Sequence, residues 1–413
     1  MNGYALLILG CLAGEYILNV IADLLNLKEM QSNLPEEFNG VYDQEAYQKS
    51  QDYSRILLKW GLLKSTGTLL LFLVFWFSGG FHSLDQFVRH LHFGLLISGL
   101  IYFGILFLLS SLLSLPVNII ETFVIEEKFG FNRTRPVTFV FDTLKGWGLT
   151  ILVGTPLLSG ILYFFEWAGS SAWWFGWVMT SIIQLLIQWV GPSLIMPLFN
   201  RFDPLENGNL KDSIIAYGRK VNFPIDNIYV MDGSKRSSKG NAFFSGFGRR
   251  KRIALFDTLI KKQTTPELVA VLAHEIGHFK RKHVIKGTIL SVLNTGILFY
   301  ILSLFINRPG LSEAFYVDHP SLYCSLVFFL LLYAPMEFML SLLFLMYSRR
   351  NEFEADRYAV ETLADPNSMV SALKKLAVDN LANLNPHPFH VFLKDSHPPI
   401  LERIEAIRQV RQV

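Results

Sequence analysis

Two histidines four residues apart, with a glutamate between them, are the residues of this chain best suited to chemistry: His274-Glu275-Ile276-Gly277-His278. On a helix, positions i and i+4 share a face, so both imidazoles can grip one metal ion while Glu275 stands one step aside. That is the zinc-holding half of a hydrolytic site, with the intervening glutamate as general base. Zinc with three protein ligands and an open fourth position lowers the pKa of a bound water from about 15.7 to about 7. Glu275 then accepts the water's proton and later passes it to the leaving amine.

A third ligand must come from elsewhere. The extended zinc motif that adds a third histidine needs glycine at 281 and histidine at 284, where this chain has Arg281 and Val284. Downstream lies Glu352-Phe353-Glu354-Ala355-Asp356. Glu352 and Asp356 share a helix face, which predicts Glu352 on zinc and Asp356 accepting an N–H from a ligand histidine. Glu354 points off that face but is equally able to ligate by type, and a solvated acidic helix start is the plain alternative. His397, in Ser396-His397-Pro398-Pro399, could steady the oxyanion of a tetrahedral intermediate. Histidine at a proline turn is otherwise a surface residue. Asn241 could hydrogen-bond a substrate amide or merely punctuate a turn. His283, His319, His387 and His390 are expected on the surface or in loops.

The elements that must hold these groups are largely membranous. Of 413 residues, 51% are hydrophobic and only 17% charged, with 35 Phe and 8 Trp. A soluble chain carries about a quarter charged residues, so this composition reads as a polytopic membrane protein. A net charge of +3 gives no basis for nucleic-acid binding. Cys11 and Cys324, both in apolar runs, are too few for a cysteine metal site and are expected to pack as small apolar side chains. No basic region precedes the first apolar stretch, which reads as a retained span rather than a cleaved leader.

Spans are expected near 3–25, 56–78, 93–120, 147–168, 172–197, 285–306 and 321–347. The third and seventh exceed the need of a bilayer and are expected to tilt or project. Lys28, Lys49, Arg55, Lys128, Arg133, Arg135 and Lys145 fall in the first and third loops, against Arg89 and Arg308 in the second and sixth. The positive-inside rule then places the N-terminus outside and both 198–284 and 348–413 in the cytosol. His278 and Glu352 are separated by two spans, an even number, so they can meet. The domain reading is five spans in 1–197, a metalloprotease segment in 198–284, two spans in 285–347, and a tail in 348–413. Glu15, Asp23, Glu121, Glu166 and Glu337 lie in or near spans. Glu337 argues either for a hydrated interior or for a helix-to-helix hydrogen bond.

Within 198–284, residues 209–221 have helical spacing. Segments 227–231, 241–244 and 252–256 read as strands, the last two joined by a Gly-rich turn at Ser245–Gly248. Pro266 opens a helix over about 266–283 that carries the histidines. A sheet edge beside such a helix can pair with a peptide backbone whatever its side chains.

With Leu34-Pro35-Glu36-Glu37-Phe38, Tyr47-Gln48-Lys49-Ser50-Gln51, Ile125-Glu126-Glu127-Lys128-Phe129-Gly130-Phe131-Asn132, Pro197-Leu198-Phe199-Asn200 and Asn241-Ala242-Phe243 in order before the histidine motif, the chain resembles the Ste24 family. These are membrane zinc metalloproteases, the type I CaaX prenyl proteases. The resemblance implies an all-α integral membrane protein whose seven helices form a barrel around a water-filled chamber, with a zincin-like cytosolic α+β segment. It implies one zinc per chain, Glu275 as base, Glu352 as third ligand, and His397, Arg403 and Asn241 as substrate-binding residues. The implied substrate is a peptide or protein, cut three residues from its end after a prenylated cysteine. Some members also cut upstream or clear proteins stuck in translocation channels. The end Arg408-Gln409-Val410-Arg411-Gln412-Val413 lacks a dilysine-type signal, and the stretch before Glu352 is compact. Both lean toward a bacterial cytoplasmic membrane, with the endoplasmic reticulum as the eukaryotic counterpart. The rival readings are an HtpX-like quality-control protease with fewer spans and a non-catalytic seven-span receptor or transporter.

Overall fold

The computed structural model describes residues 1–30, 33–223, 225, 227–245, 252–306 and 308–410. The first part of the chain is helical. It comprises α1 (Gly3–Glu29), α2 (Gln44–Phe77), α3 (Gly80–His90), α4 (Leu95–Ile120) with a π-helical extension (Glu121–Glu126), and α5 (Pro136–Trp167). It continues with α6 (Ala172–Val190), a second π-helical segment (Gly191–Ile195) and α7 (Met196–Phe199). The polar segment follows: β1 (Phe202–Pro204), α8 (Asn209–Lys220), β2 (Ile228–Met231), β3 (Ala242–Ser245), β4 (Arg252–Phe256), α9 (Asp257–Lys262) and α10 (Thr265–Lys280). Then come α11 (His283–Phe305), α12 (Pro309–Glu313), α13 (Leu322–Thr362), α14 (Asn367–Asp379), α15 (Pro388–Lys394) and α16 (Ile400–Val410).

Among the described residues seven helical stretches are long and apolar enough to cross a membrane. They coincide with the expected spans, but several run further. Helix α5 starts at Pro136, whose fixed φ suits a first turn. Helix α13 continues to Thr362, so the acidic motif lies deep in the helix of the seventh span and not at a new helix start. The histidine helix is shorter than expected. It stops at Lys280, and Lys282 takes a left-handed φ of 59° before His283 starts α11. The Gly-rich turn falls, apart from Ser245, outside the described residues.

Neighbouring spans touch in sequence around a ring: α1 with α2 and α13, α13 with α11, α11 with α6, α6 with α5, α5 with α4, and α4 with α13. One end is closed by an aromatic core that includes Trp76, Phe81, Tyr102, Phe299, Phe315 and Phe328. Two loop helices that sequence periodicity did not reveal, α3 and α12, supply part of this plug. The Trp76 indole N–H donates to the Ala314 carbonyl at 2.8 Å. Between the ends the packing is sparse. No residue in the most apolar stretch of α6 is buried, and only 6% are in those of α2 and α5. A solid bundle would bury one stripe of every helix. These helices therefore ring an open interior.

The polar segments build a second, dense core. Leu272, Ala273 and Ile276 of α10 pack with Ile214 of α8, Leu255 of β4, Leu373 of α14 and Ile407 of α16. The sheet has order β1-β2-β4-β3. Strands β1 and β2 are antiparallel, β2 and β4 parallel with Ile228 opposite Ile253, and β4 and β3 antiparallel with Phe243 opposite Ala254. Strand β1, three residues long, adds to the three expected strands. Strand β3 is an edge of the sheet and faces α10. Glu267, in the first turn of α10, accepts from the Thr264 N–H at 2.7 Å, from Ser371 at 2.5 Å and from Lys375 at 2.8 Å. That clamp fixes α10 against α14.

Candidate metal centre

Helices α10 and α13 cross at Gly277. A Cβ there would stand 3.0 Å from the Ala355 carbonyl oxygen and 3.1 Å from its Cα, so a larger residue would press the two helices apart by a few tenths of an ångström. The crossing sets the face of His274 and His278 against the face of Glu352 and Asp356. His274 Nε2 and His278 Nε2 lie 3.1 Å apart. Glu352 places Oε2 at 3.4 Å from His274 Nε2 and Oε1 at 3.3 Å from His278 Nε2. Metal-to-ligand bonds of about 2.0–2.1 Å give tetrahedral edges of about 3.3 Å. Two imidazoles and a carboxylate in a triangle of that size fit a metal ion with a fourth position open. Among the described residues this is the one group of three or more ligand-type side chains so gathered.

His274 and Glu352 are held from behind. His274 Nδ1–H donates to Asp356 Oδ1 at 2.8 Å, which leaves Nε2 free to ligate. Arg403 of α16 grips Asp356 with Nε at 2.8 Å and Nη2 at 2.7 Å, and its Nη1 lies 3.4 Å from Glu352 Oε2. Arg403 is buried, as are Glu352 and Asp356. A buried carboxylate pair is tolerable only where cations or a metal offset it. Burial alone would lower the His274 imidazole, but the carboxylates of Asp356 and Glu352 beside it raise it above its ordinary value. Burial pushes the Glu275 carboxyl above the usual carboxylate range, against the pull of His274 and His278. The Phe244 backbone of β3 also hydrogen-bonds Glu275, so its carboxyl lies at the sheet edge.

The remaining candidates differ in placement. His397 is 64% exposed, with Nε2 3.6 Å from Glu352 Oε1. It borders a cavity of about 640 Å³ shared with His390, Lys394 and Arg403. Asn241 immediately precedes β3 and is exposed, its Oδ1 accepting from the Ala242 N–H at 2.8 Å. Arg403, placed beside substrate by the resemblance, turns its guanidinium inward to Asp356 and Glu352. Glu354, the rival ligand, points away, with Oε2 3.2 Å from His283 Nε2 and Oε1 3.1 Å from Arg350 Nε.

Two histidines correct the surface expectation. His283 is buried, its Nδ1 3.1 Å from His278 Nδ1. On a continuous helix five residues would turn it away. The break at Lys282 folds it back. The His390 side chain is only 12% exposed, and its Nδ1 lies 3.2 Å from Asp23 Oδ1. Asp23, which looked costly near a membrane, also accepts from Lys394 at 2.6 Å. Gly277 went unremarked in the sequence, although a glycine inside a helix costs about 1 kcal/mol and so signals a packing need.

Known proteins carry the same organisation. Residues 23–201 match the family described as "CAAX prenyl protease N-terminal, five membrane helices", and residues 204–411 match "Peptidase family M48". The chain belongs to peptidase family M48, in its CAAX prenyl protease branch. It is an integral, multi-pass membrane metalloprotease. CAAX prenyl protease 1 of Saccharomyces cerevisiae is 34% identical over 412 residues, covering 93% of this chain and 90% of the yeast protein. The CAAX prenyl protease 1 homolog of Homo sapiens is 32% identical, covering 92% and 90% respectively. The crystal structure of S. mikatae Ste24p superposes with a TM-score of 0.92 at 30% identity, over 98% of this chain and 99% of that one.

Proposed function

We propose that the protein is a zinc endopeptidase that removes the last three residues of proteins ending in a prenylated cysteine motif. The observation that carries this reading is the triangle of His274, His278 and Glu352, with the Glu275 carboxyl beside it at the sheet edge. Two nitrogens and one oxygen at these spacings suit zinc. Bound there, zinc supplies positive charge that acidifies the attacking water and polarises the scissile carbonyl. Glu275 takes the proton of that water and delivers it to the leaving amine; its raised carboxyl pKa favours such an exchange. His397 reaches over the open side and donates to the carbonyl oxygen as negative charge grows on it. Substrate lies as an added strand along β3, with Asn241 bonding its backbone. Arg403 acts through Asp356 and Glu352, keeping the ligands aligned.

The open interior of the ring gives room for a lipid-bearing chain end. The basic first and third loops support a cytosolic position for 198–284 and 348–413, with the N-terminus on the other side. The names of the relatives, CAAX prenyl protease 1 in yeast and its homolog in human, support the substrate class and, with the eukaryotic sources, an endoplasmic reticulum setting over a bacterial membrane.

Mass spectrometry of two synthetic peptides tests this reading: one ends in a farnesylated cysteine plus three residues, the other is the same without the lipid. We expect loss of the terminal tripeptide from the first at a much higher rate. Equal cleavage of both would leave a zinc protease without prenyl specificity, and cleavage of neither would overturn the substrate class.

A further inference from the structure

His278 has a support of its own that mirrors the one behind His274. Its Nε2 faces His274 and Glu352, so its Nδ1 is the nitrogen left to carry the proton. That N–H points at His283 Nδ1, 3.1 Å away. To accept it, His283 must be unprotonated at Nδ1 and carry its hydrogen on Nε2. His283 Nε2 lies 3.2 Å from Glu354 Oε2, an acceptor that enforces this tautomer. Arg350 Nε donates to the other oxygen of Glu354 at 3.1 Å. The donors therefore run in one direction: His278 to His283, and His283 to Glu354, which Arg350 holds from the far side.

From this chain of bonds we infer that His283 is a positioning residue for the metal. It orients the His278 ring and keeps the His278 Nε2 lone pair free, and Glu354 fixes the tautomer in which His283 can do so. The inference rests on His278 being a metal ligand. The two supports differ in kind. Behind His274 stands a charged carboxylate that Arg403 clamps. Behind His278 stands a neutral imidazole, and the carboxylate comes one step later. The fold makes this possible through the left-handed Lys282, which ends α10 and drops the first residue of α11 onto the ring of His278 at a centroid distance of 5.1 Å and 77° between planes. The same relay explains why Glu354, equally suited by type, is no ligand.

The test measures metal retention against graded chelator, together with the visible spectrum of the cobalt-substituted protein. Neither readout needs turnover. His283→Phe keeps bulk but removes the acceptor, and should surrender metal about ten- to a hundredfold more readily, with an altered cobalt band. His283→Asn retains an acceptor oxygen near the place of Nδ1 and should stay within about threefold of wild type on the same grounds. Glu354→Leu frees His283 to adopt the other tautomer and should weaken retention, with partial recovery in Glu354→Gln. Residue 354 is partly exposed, so these two variants test the relay even where His283→Phe does not fold. Wild-type retention in both His283→Phe and Glu354→Leu would overturn the inference. So would a His283→Asn protein as weak as His283→Phe, which would assign the residue to packing alone. A His278→Ala protein that kept its metal would instead remove the ligand on which the inference rests.

Discussion

Helices α10 and α6 lie at opposite extremes of packing. Leu272, Ala273 and Ile276 of α10 are fully buried, whereas Leu185, Leu186, Ile187 and Trp189 of α6 are 41–53% exposed. Helix α6 carries no charged side chain, whereas α10 carries Glu267, Glu275, Lys280 and two histidines, yet the more polar helix is the more deeply buried. The difference lies in what covers them. In the protease body, protein atoms fill the space around each side chain, and geometry is set to tenths of an ångström. In the ring, lipid covers one side and the open interior lies on the other, so neighbouring helices touch along narrow seams, as where Gln184 of α6 donates to Ser291 of α11 at 2.8 Å. Helix α13 belongs to both regions. Met339, Leu343 and Met346 are exposed on its membrane part, and Glu352, Ala355, Asp356 and Ala359 are buried on its last turns. One continuous helix thus ties the ring to the metal site.

The comparison breaks most sharply at the ligands. His274→Ala and Glu352→Ala should each lose the metal and bring peptide cleavage to background, because an open site with two ligands holds zinc poorly. Metal analysis checks this, and a full complement in Glu352→Ala would remove Glu352 from the ligand set. Next is the base. Glu275→Gln should keep metal and heat stability while turnover falls about 10²–10⁴-fold, the usual worth of a positioned general base.

Stability should then divide the two regions. Leu272→Ala in the body is expected to cost about 2–5 kcal/mol in denaturant unfolding of the detergent-solubilised protein, since the cavity cannot be filled. Gly277→Ala should cost about 1–3 kcal/mol by forcing α10 off the Ala355 backbone. Its diagnostic is weaker metal binding without loss of any ligand; unchanged affinity would mean the crossing has slack. The smallest effect is expected in the ring. Leu152→Ala, at a residue 69% exposed on α5, should stay within about 0.5 kcal/mol. A loss as large as that of Leu272→Ala would show that the ring is packed after all.

Local rules make much of this protein readable from its residues in order. A span needs only a long apolar run, so all seven could be placed, together with the parity that lets His278 and Glu352 meet. The pairs 274/278 and 352/356 were legible because a helix puts i and i+4 on one face. Helix ends were less legible, since where α13 stops depends on what its last turns pack against. Between its apolar stretch and the acidic motif the sequence changes only in polarity and charge, at Ser348-Arg349-Arg350, and nothing there breaks or continues a helix by itself. Helices α3 and α12 stayed hidden in loops because their stability comes from the aromatic plug and not from their own short sequences.

Only the tertiary structure decided which groups meet across distance. That Glu352 faces the histidines while Glu354 turns to His283 follows from how α13 packs across α10, with Gly277 close against the Ala355 backbone. That Arg403 clamps Asp356 from 47 positions away depends on where α16 docks. That His283 supports His278 depends on one residue, Lys282, taking a conformation its side chain disfavours. Spacing along a chain determines faces, because the helix is a local repeat. Which face meets which is settled by packing between segments far apart in sequence, where no repeat applies.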